Sequence, residues 1–570
     1  MALPRKGAEI LVDALITAGV QVIFGVPGDT GVVFYDALYA RGGELRHILA
    51  RDERAAAAMA DAYARLTNQI GVVEASSGGG ATYLVGGLGE PFAASVPILV
   101  LTTDIPRESR GSGAITEVDQ SVLFAAVTKW RHTIESAAEI PAAVQEAIRT
   151  ATSGRPGPVS LVLPENVLDE QAEARQIAVD SRVPRERPEA DWAVVREVAQ
   201  SLSVAERPAI VAGSGVHMSQ AWEELARFAE QCGVPVATTI HGKGAYVETN
   251  PWSLGVVGGN GARDYANDYL AEADWVLFAG TRANATDTNG YTAPPRGGDA
   301  FIAQVDIYEE RIGRNYPGAR ALLGDLRTVL EQLSSVASDA NEEWRAELLR
   351  RVAYERNRWE AGHRRLRTAQ GLDPREVVIA VQRASRQDSL VVADAGTPTP
   401  YLAAFWQCRE PGRSVLIPRG HGAMGFAIPA AVGASIARPG TPVLALTTDG
   451  SFAMACGELE TARRLDLPIT FIHLANGSYG WIKMLQYLYM GQRYIGVDFA
   501  PVAAEVVAKG FGLPSWHVAS VSDLGAALQE SQRTEGPGLI DVAVATEMDL
   551  LPPVAPWQAA LAGNLDRPAY

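Results

Sequence analysis

Short, unbroken apolar runs separated by helical stretches recur along almost the whole chain. They fall at residues 21–24, 71–75, 98–102 and 159–163, again at 209–212, 236–239, 275–279 and 301–305, and a third time at 390–393, 443–447, 469–475 and 539–544. A strand that is apolar on both faces needs cover on both, and a helical return to the next strand supplies it. The pattern therefore specifies parallel sheets with crossover helices. The fold class is α/β, with three doubly wound parallel-sheet domains over residues 1–180, 190–338 and 372–550. A proline-rich, charged linker at 182–191 and a Glu- and Arg-rich helical connector at 342–367 read as solvated. Residues 551–570 form a C-terminal tail, read as a surface extension. The pattern leaves open whether the first and third blocks share one topology.

Charge and cysteines narrow the partners. The net charge is −16, which repels phosphate backbones, so no nucleic-acid partner is expected. Cys232, Cys408 and Cys456 are far apart, with neither metal-ligand spacing nor a disulfide framework, which points to a reducing compartment. Residues 9–18 read as an amphipathic helix rather than a signal peptide, because Glu9 and Asp13 interrupt its apolar stretch. No apolar run approaches the roughly 18 residues that span a bilayer. A cytoplasmic protein without a membrane partner is the expectation.

The third block holds the sharpest chemical signal. The run 443–447 leads into Thr448-Asp449-Gly450-Ser451, then a helix read at 452–464, and the run 469–475 ends in Asn476-Gly477-Ser478. Neighbouring parallel strands bring their C-terminal ends together, where ligands bind. Asp449 and Asn476 would then offer oxygens to one small space, as a hard ion such as Mg²⁺ requires. Gly450 and Ser451 open a helix whose free N–H groups suit a phosphate. Each feature alone is an ordinary turn; their pairing at two strand ends favours a Mg²⁺–diphosphate site. In the middle block, Gly213-Ser214-Gly215 is only a weak phosphate fingerprint, and a tight turn is the preferred reading.

From Asp449 to Asn476 the chain resembles the thiamine diphosphate motif, with Ala475 where the first of two terminal asparagines is usual. Residues 51–65 resemble the acetolactate synthase segment that carries a catalytic glutamate, here Glu53, with Asp52 in place of the usual His. Gly25-Val26-Pro27-Gly28, the segment 77–82, the segment 154–158 and Gly422-Ala423-Met424-Gly425-Phe426 also match in order, so the resemblance covers nearly all of residues 5–550. It implies thiamine diphosphate and Mg²⁺ as cofactors. Asp449, the Asn476 side chain and the Ser478 carbonyl would hold the metal. Pro27, Gly28, Gly396, Thr397, Gly422, Gly450, Ser451 and Tyr479 would contact the cofactor. Glu53 would hydrogen-bond its aminopyrimidine, and Met424 would hold its two rings bent. The resemblance also implies a homodimer or homotetramer, since the two ends of the cofactor are usually held by different subunits.

The substrate side departs from acetolactate synthase. Ile115-Thr116-Glu117 replaces Phe-Gln-Glu, Leu485 replaces a selective tryptophan, Gly79 a proline, Tyr83 an asparagine and His421 a leucine. Candidate substrate residues are Tyr83, Glu90, Ile115, Thr116, Trp481, Leu485 and Gln486. His421 could shuttle a proton or be structural, and residues 487–497 could form a lid carrying Arg493. The expected reaction is decarboxylation or carboligation of a 2-oxo acid, a small-molecule substrate. The alternatives are a 2-hydroxyacyl-CoA or oxalyl-CoA type lyase and an FAD-linked oxidative decarboxylase. The middle domain would hold FAD or an ADP-like group in those cases. A non-catalytic cofactor sensor would lack Glu53.

Overall fold

Each block builds a six-stranded, all-parallel sheet in the computed structural model, which describes residues 4–363, 371–534, 536–564 and 566–567. The first sheet contains β1 (Val22–Val26), β2 (Arg46–Leu49), β3 (Gly71–Ala75), β4 (Ile98–Asp104), β5 (Trp130–Thr133) and β6 (Val159–Pro164), ordered β2-β1-β3-β4-β6-β5. The second contains β7 (Pro208–Ala212), β8 (Val236–Thr238), β9 (Ser253–Val256), β10 (Trp275–Ala279), β11 (Phe301–Asp306) and β12 (Arg320–Leu323), ordered β9-β8-β7-β10-β11-β12. The third contains β13 (Leu390–Ala393), β14 (Val415–Leu416), β15 (Val443–Thr448), β16 (Ile469–Ala475), β17 (Ser515–Val518) and β18 (Gly538–Ala543), ordered β14-β13-β15-β16-β18-β17. Every apolar run is a strand. The first and third sheets share one strand order, and the second follows the classic dinucleotide-fold order.

The first and third sheets meet through two helices. In α1 (Glu53–Thr67) the Asp52 side chain accepts from the Arg54 N–H at 2.8 Å, and Asn68 ends the helix in a left-handed turn at φ 52°. Its many alanines leave a thin surface that allows close approach. α2 (Gly79–Ala94) follows β3. α3 (Ala427–Ala437) is apolar all round, the mark of a helix buried on every side. It lies on α1 with Gly433 against the Met59 carbonyl, and both helices share one hydrophobic core. After β15 the chain forms two short helices, α4 (Asp449–Ala455) and α5 (Glu458–Arg464), rather than one. The Glu458 carboxylate is drawn into the domain junction, where it accepts the Arg51 N–H at 2.8 Å.

Three segments read as surface also make buried contacts. The linker at 182–191 is exposed over 185–189 but anchored at its ends: Val183 and Ala190 are buried, and the Ala190 N–H donates to Gln332. The connector helix, Glu342–His363, buries Leu348 and Val352 and stacks Trp359 on Phe405 at 5.2 Å. Its expected last turn, 364–367, lies outside the described residues. The tail folds back as a helix, Ala555–Leu561, whose Trp557 is fully buried against Trp481 at 4.4 Å. No helix among the described residues is long and apolar enough to cross a membrane.

Candidate active site

In the third domain, β15 and β16 are register neighbours, and their C-terminal ends carry Asp449 and Asn476. Asp449 Oδ2 accepts the backbone N–H groups of Asn476 at 3.0 Å and Gly477 at 3.2 Å. Its Oδ1 turns toward His473 Nε2, 3.9 Å away. Asn476 Oδ1 accepts the Ser478 N–H at 3.2 Å, and its Nδ2 faces Glu547 Oε2 at 3.3 Å. Thr397, at the start of the helix after β13, donates its hydroxyl to the other Glu547 oxygen. Gly396 is at φ +106° with open space beside it, so the backbone there can approach a ligand.

The donor set fits a hard cation and a diphosphate. Burial, with the nearby Asp449 charge, raises the Glu547 carboxyl, and a cation between Asp449 and Asn476 would relieve that repulsion. The Ser451 and Ser478 hydroxyls are buried without a hydrogen-bond partner among the described residues. Gly450 lies under Tyr479 and Met424: a Cβ there would sit 2.3 Å from the tyrosine ring and 3.0 Å from the methionine methyl. Met424 stays 36% exposed on this face, beside Gly422 at φ +77°.

The first domain contributes a second cluster. Glu53 Oε1 and Ser76 Oγ both border the open Cα face of Gly80, and Ser76 also fills the space beside Gly28. Ser77 Oγ meets Thr116 Oγ1 at 2.8 Å, and Pro27, Tyr83 and Ile115 are exposed on the same domain. Burial, then the Asp52 and Glu74 charges, push the Glu53 carboxyl above its ordinary range. No hydrogen bond or ion pair among the described residues joins Glu53 to the Asp449 cluster.

Several expected substrate residues are committed elsewhere. Glu90 is 1% exposed and accepts from Arg65 at 3.2 Å and from the Gly420, His421 and Gly422 N–H groups. It ties α2 to the 420–422 loop and has no free oxygen to offer a substrate. Gln486 holds both backbone groups of Ile495, at 3.0 and 3.1 Å, pinning the expected lid. Trp481 and Leu485, on the helix Gly480–Tyr489, pack against Trp557 rather than projecting alone. The His421 ring rests on Gly89 of the first domain.

Glu547 and Asp394 are no part of the site read from the sequence. Glu547 leaves one trace, Gly480, where any side chain would strike it. Asp394 Oδ1 accepts the Phe426 and Ala427 N–H groups at 2.7 and 3.0 Å, tying β13 to the Met424 loop.

Between the first and second domains lies a cavity of about 330 Å³, lined by Ser214, Gly215, Thr281, Arg282 and Asp306 of the second and Arg155 of the first. Gly213 and Gly215 are needed there because each packs on the Gly280 backbone. Burial, then their mutual repulsion with Arg282, lowers Arg155 and Arg311, a setting that suits an anionic ligand.

The models of the thiamine pyrophosphate enzyme match all three domains: the N-terminal TPP binding domain over residues 5–123, the central domain over 195–333 and the C-terminal TPP binding domain over 394–542. A probable acetolactate synthase large subunit of Methanocaldococcus jannaschii is 33% identical over 561 residues, 96% of this chain and 94% of that protein. An acetolactate synthase of Arthrospira platensis is 32% identical over 96% of both chains, and the acetolactate synthase large subunit of Haemophilus influenzae is 31% identical over 92% of both.

Proposed function

The chain belongs to the thiamine pyrophosphate enzymes of the acetolactate synthase-like family and is a decarboxylase or carboligase that depends on thiamine diphosphate; we propose that it acts on a 2-oxo acid through a site made of the Glu53 and Asp449 clusters. The meeting of Asp449 and Asn476 at adjacent strand ends carries this reading. Asp449, Asn476 Oδ1 and the Ser478 carbonyl would hold Mg²⁺. The Gly450 and Ser451 N–H groups, with Gly396, Thr397, Gly422 and Tyr479, would seat the diphosphate. Pro27 and Gly28 would border the other end of the cofactor. When bound, the cofactor supplies a carbon that turns nucleophilic on losing a proton. Glu53, with its raised carboxyl, holds a proton for a ring nitrogen and takes it back. Met424 would hold the cofactor's two rings bent so that this exchange is within reach. Tyr83, Ile115 and Thr116 differ from the acetolactate synthase residues and would set the substrate. His421 would act by shaping the α2 contact.

The clustered arginines of the central cavity favour an anionic second ligand, FAD or the ADP-like part of a CoA ester. A yellow purified protein supports FAD, and turnover of acyl-CoA esters supports the lyase reading. Its unpaired cysteines fit a cytoplasmic protein.

The test adds thiamine diphosphate and Mg²⁺ to apo-protein and titrates pyruvate, following circular dichroism and carbon dioxide release. Glu53→Gln should bind cofactor but lose turnover by ~100-fold or more. Asp449→Ala should lose Mg²⁺-dependent cofactor binding. Full turnover by Glu53→Gln would sink the assignment.

A further inference from the structure

Asp541 is an acid inside a parallel sheet, on a strand whose other residues are apolar or glycine. It is 3% exposed, and a carboxylate there loses its hydration unless other groups hold it. His473 on β16 and His517 on β17 are its register partners on either side, so the three side chains form a row on one face of the sheet. His473 Nδ1 lies 2.8 Å from Asp541 Oδ1, and His517 Nδ1 lies 3.4 Å from Oδ2. The helix Ala504–Gly510 covers that face, with Ala504 and Ala508 in one core with Leu539 of β18. It brings Glu505 to the row, and Ser515 Oγ fixes it to β17 by donating to the Glu505 carbonyl at 2.8 Å.

The Glu505 and Asp541 carboxyl groups are close enough to share a proton. No N–H or O–H donor among the described residues reaches the buried Glu505 Oε2, and no lysine or arginine among them pairs with either acid. Two facing acceptors need a proton or a cation between them. A proton joins only two groups, and here there are three: the ligand atoms of Glu505, His517 and Asp541 all lie within 4.8 Å of one another. A tetrahedral ion with bonds of about 2.1 Å has its ligand atoms about 3.4 Å apart, which is the spacing of His517 Nδ1 and Asp541 Oδ2. One imidazole with two carboxylates suits Zn²⁺ better than Mg²⁺, which takes oxygen ligands. His473 is placed as the outer partner that orients a ligand carboxylate; its Nε2 is turned the other way, toward Asp449 at 3.9 Å. The His517 side chain is 58% exposed, so an ion can enter from solvent and keep a water as its fourth ligand. We propose that Glu505, His517 and Asp541 form a second divalent-cation site, of the Zn²⁺ class, that clamps the edge strand β17 and its covering helix to β18 and is separate from the site at Asp449 and Asn476.

The test uses the full-length protein, stripped of metal with a chelator and then saturated with Mg²⁺. Zn²⁺ titrated into it and followed by calorimetry should bind at one ion per chain and raise the unfolding temperature. His517→Ala and Glu505→Gln should each weaken that binding at least ~10-fold, the loss that follows even when only an outer partner of a ligand is removed, and should lose the thermal shift. Asp449→Ala should keep both. If wild type takes up no Zn²⁺, the two acids merely share a proton and the proposal is overturned. Binding that His517→Ala leaves unchanged overturns it too, as does binding that disappears in Asp449→Ala, which would put the ion at the other site. If Glu505→Gln folds poorly, His517→Ala decides, since its change falls on an exposed ring at a sheet edge.

Discussion

Asp394 is the residue whose chemistry is least visible in the sequence and most exposed to test. It is fully buried, and burial pushes its carboxyl up to about 6. A carboxyl raised in the native state binds its proton more tightly there than in the unfolded chain. Its contribution is therefore most favourable below the ordinary Asp range and is lost as pH rises from about 4 to about 6. Above that window the ionised group costs ~3 kcal/mol. Asn keeps the oxygen that accepts from Phe426 and Ala427 and cannot ionise. Apo-protein carrying Asp394→Asn should unfold at a higher temperature than wild type at pH 8, with the gap closing toward pH 4; a gap independent of pH contradicts the argument. Asp449, Asn476 and Glu53 stand out in sequence because each sits at a strand or helix end beside small residues. Glu547 does not, because its meaning comes from partners far along the chain, and Asp394, though it follows a strand end beside Ala395 and Gly396, shows its bonds to Phe426 and Ala427 only in the fold. Glu90, read as a candidate substrate residue, shows the same dependence: its carboxylate accepts N–H groups some 330 residues away, which no local pattern reveals.

Among elements, the sequence reading found the four interior strands of every sheet and missed the strands at both edges. The cause is physical. Interior strands are covered on both faces and must be continuously apolar, whereas the edge strands Trp130–Thr133 and Arg320–Leu323 expose side chains and carry Arg, His and Thr, and the buried edges Ser253–Val256 and Val415–Leu416 are too short to show a pattern. The lost edges are also why the shared order of the first and third sheets was not legible. The contact of α1 with α3 was equally hidden, since it depends on one missing side chain. A Cβ on Gly433 would lie 2.1 Å from the Met59 carbonyl oxygen, which is backbone and cannot swing aside. Gly433→Ala should therefore force the helices apart and destabilise the protein by about 3 kcal/mol, seen as a shift in the denaturant midpoint. Gly525→Ala, in a helix with no atom within 4 Å of the new methyl, should be neutral or stabilising. Equal behaviour of the two would remove close helix contact as the explanation.

Over the whole molecule, the first and third domains are two copies of one strand order, each ending in half of a site. The halves face outward: Met424 is 36% exposed, Tyr83 60% and Ile115 87%. Large apolar side chains left open beside polar clusters are the usual mark of a surface that another chain covers. No hydrogen bond or ion pair among the described residues joins Glu53 to Asp449, and the expectation put to test is a site shared across a twofold axis, where the same two patches meet twice. Mixing two dead variants decides this. Glu53→Gln and Asp449→Ala each destroy both sites of a homodimer. In a mixed dimer with shared sites, the intact Glu53 of the Asp449→Ala chain faces the intact Asp449 of the Glu53→Gln chain, so one site is whole and the other carries both lesions. After joint unfolding and refolding at equal amounts, random pairing makes half of the dimers mixed, and activity should return to about a quarter of wild type. If each site lies within one chain, every site in the mixture keeps one lesion and no activity returns.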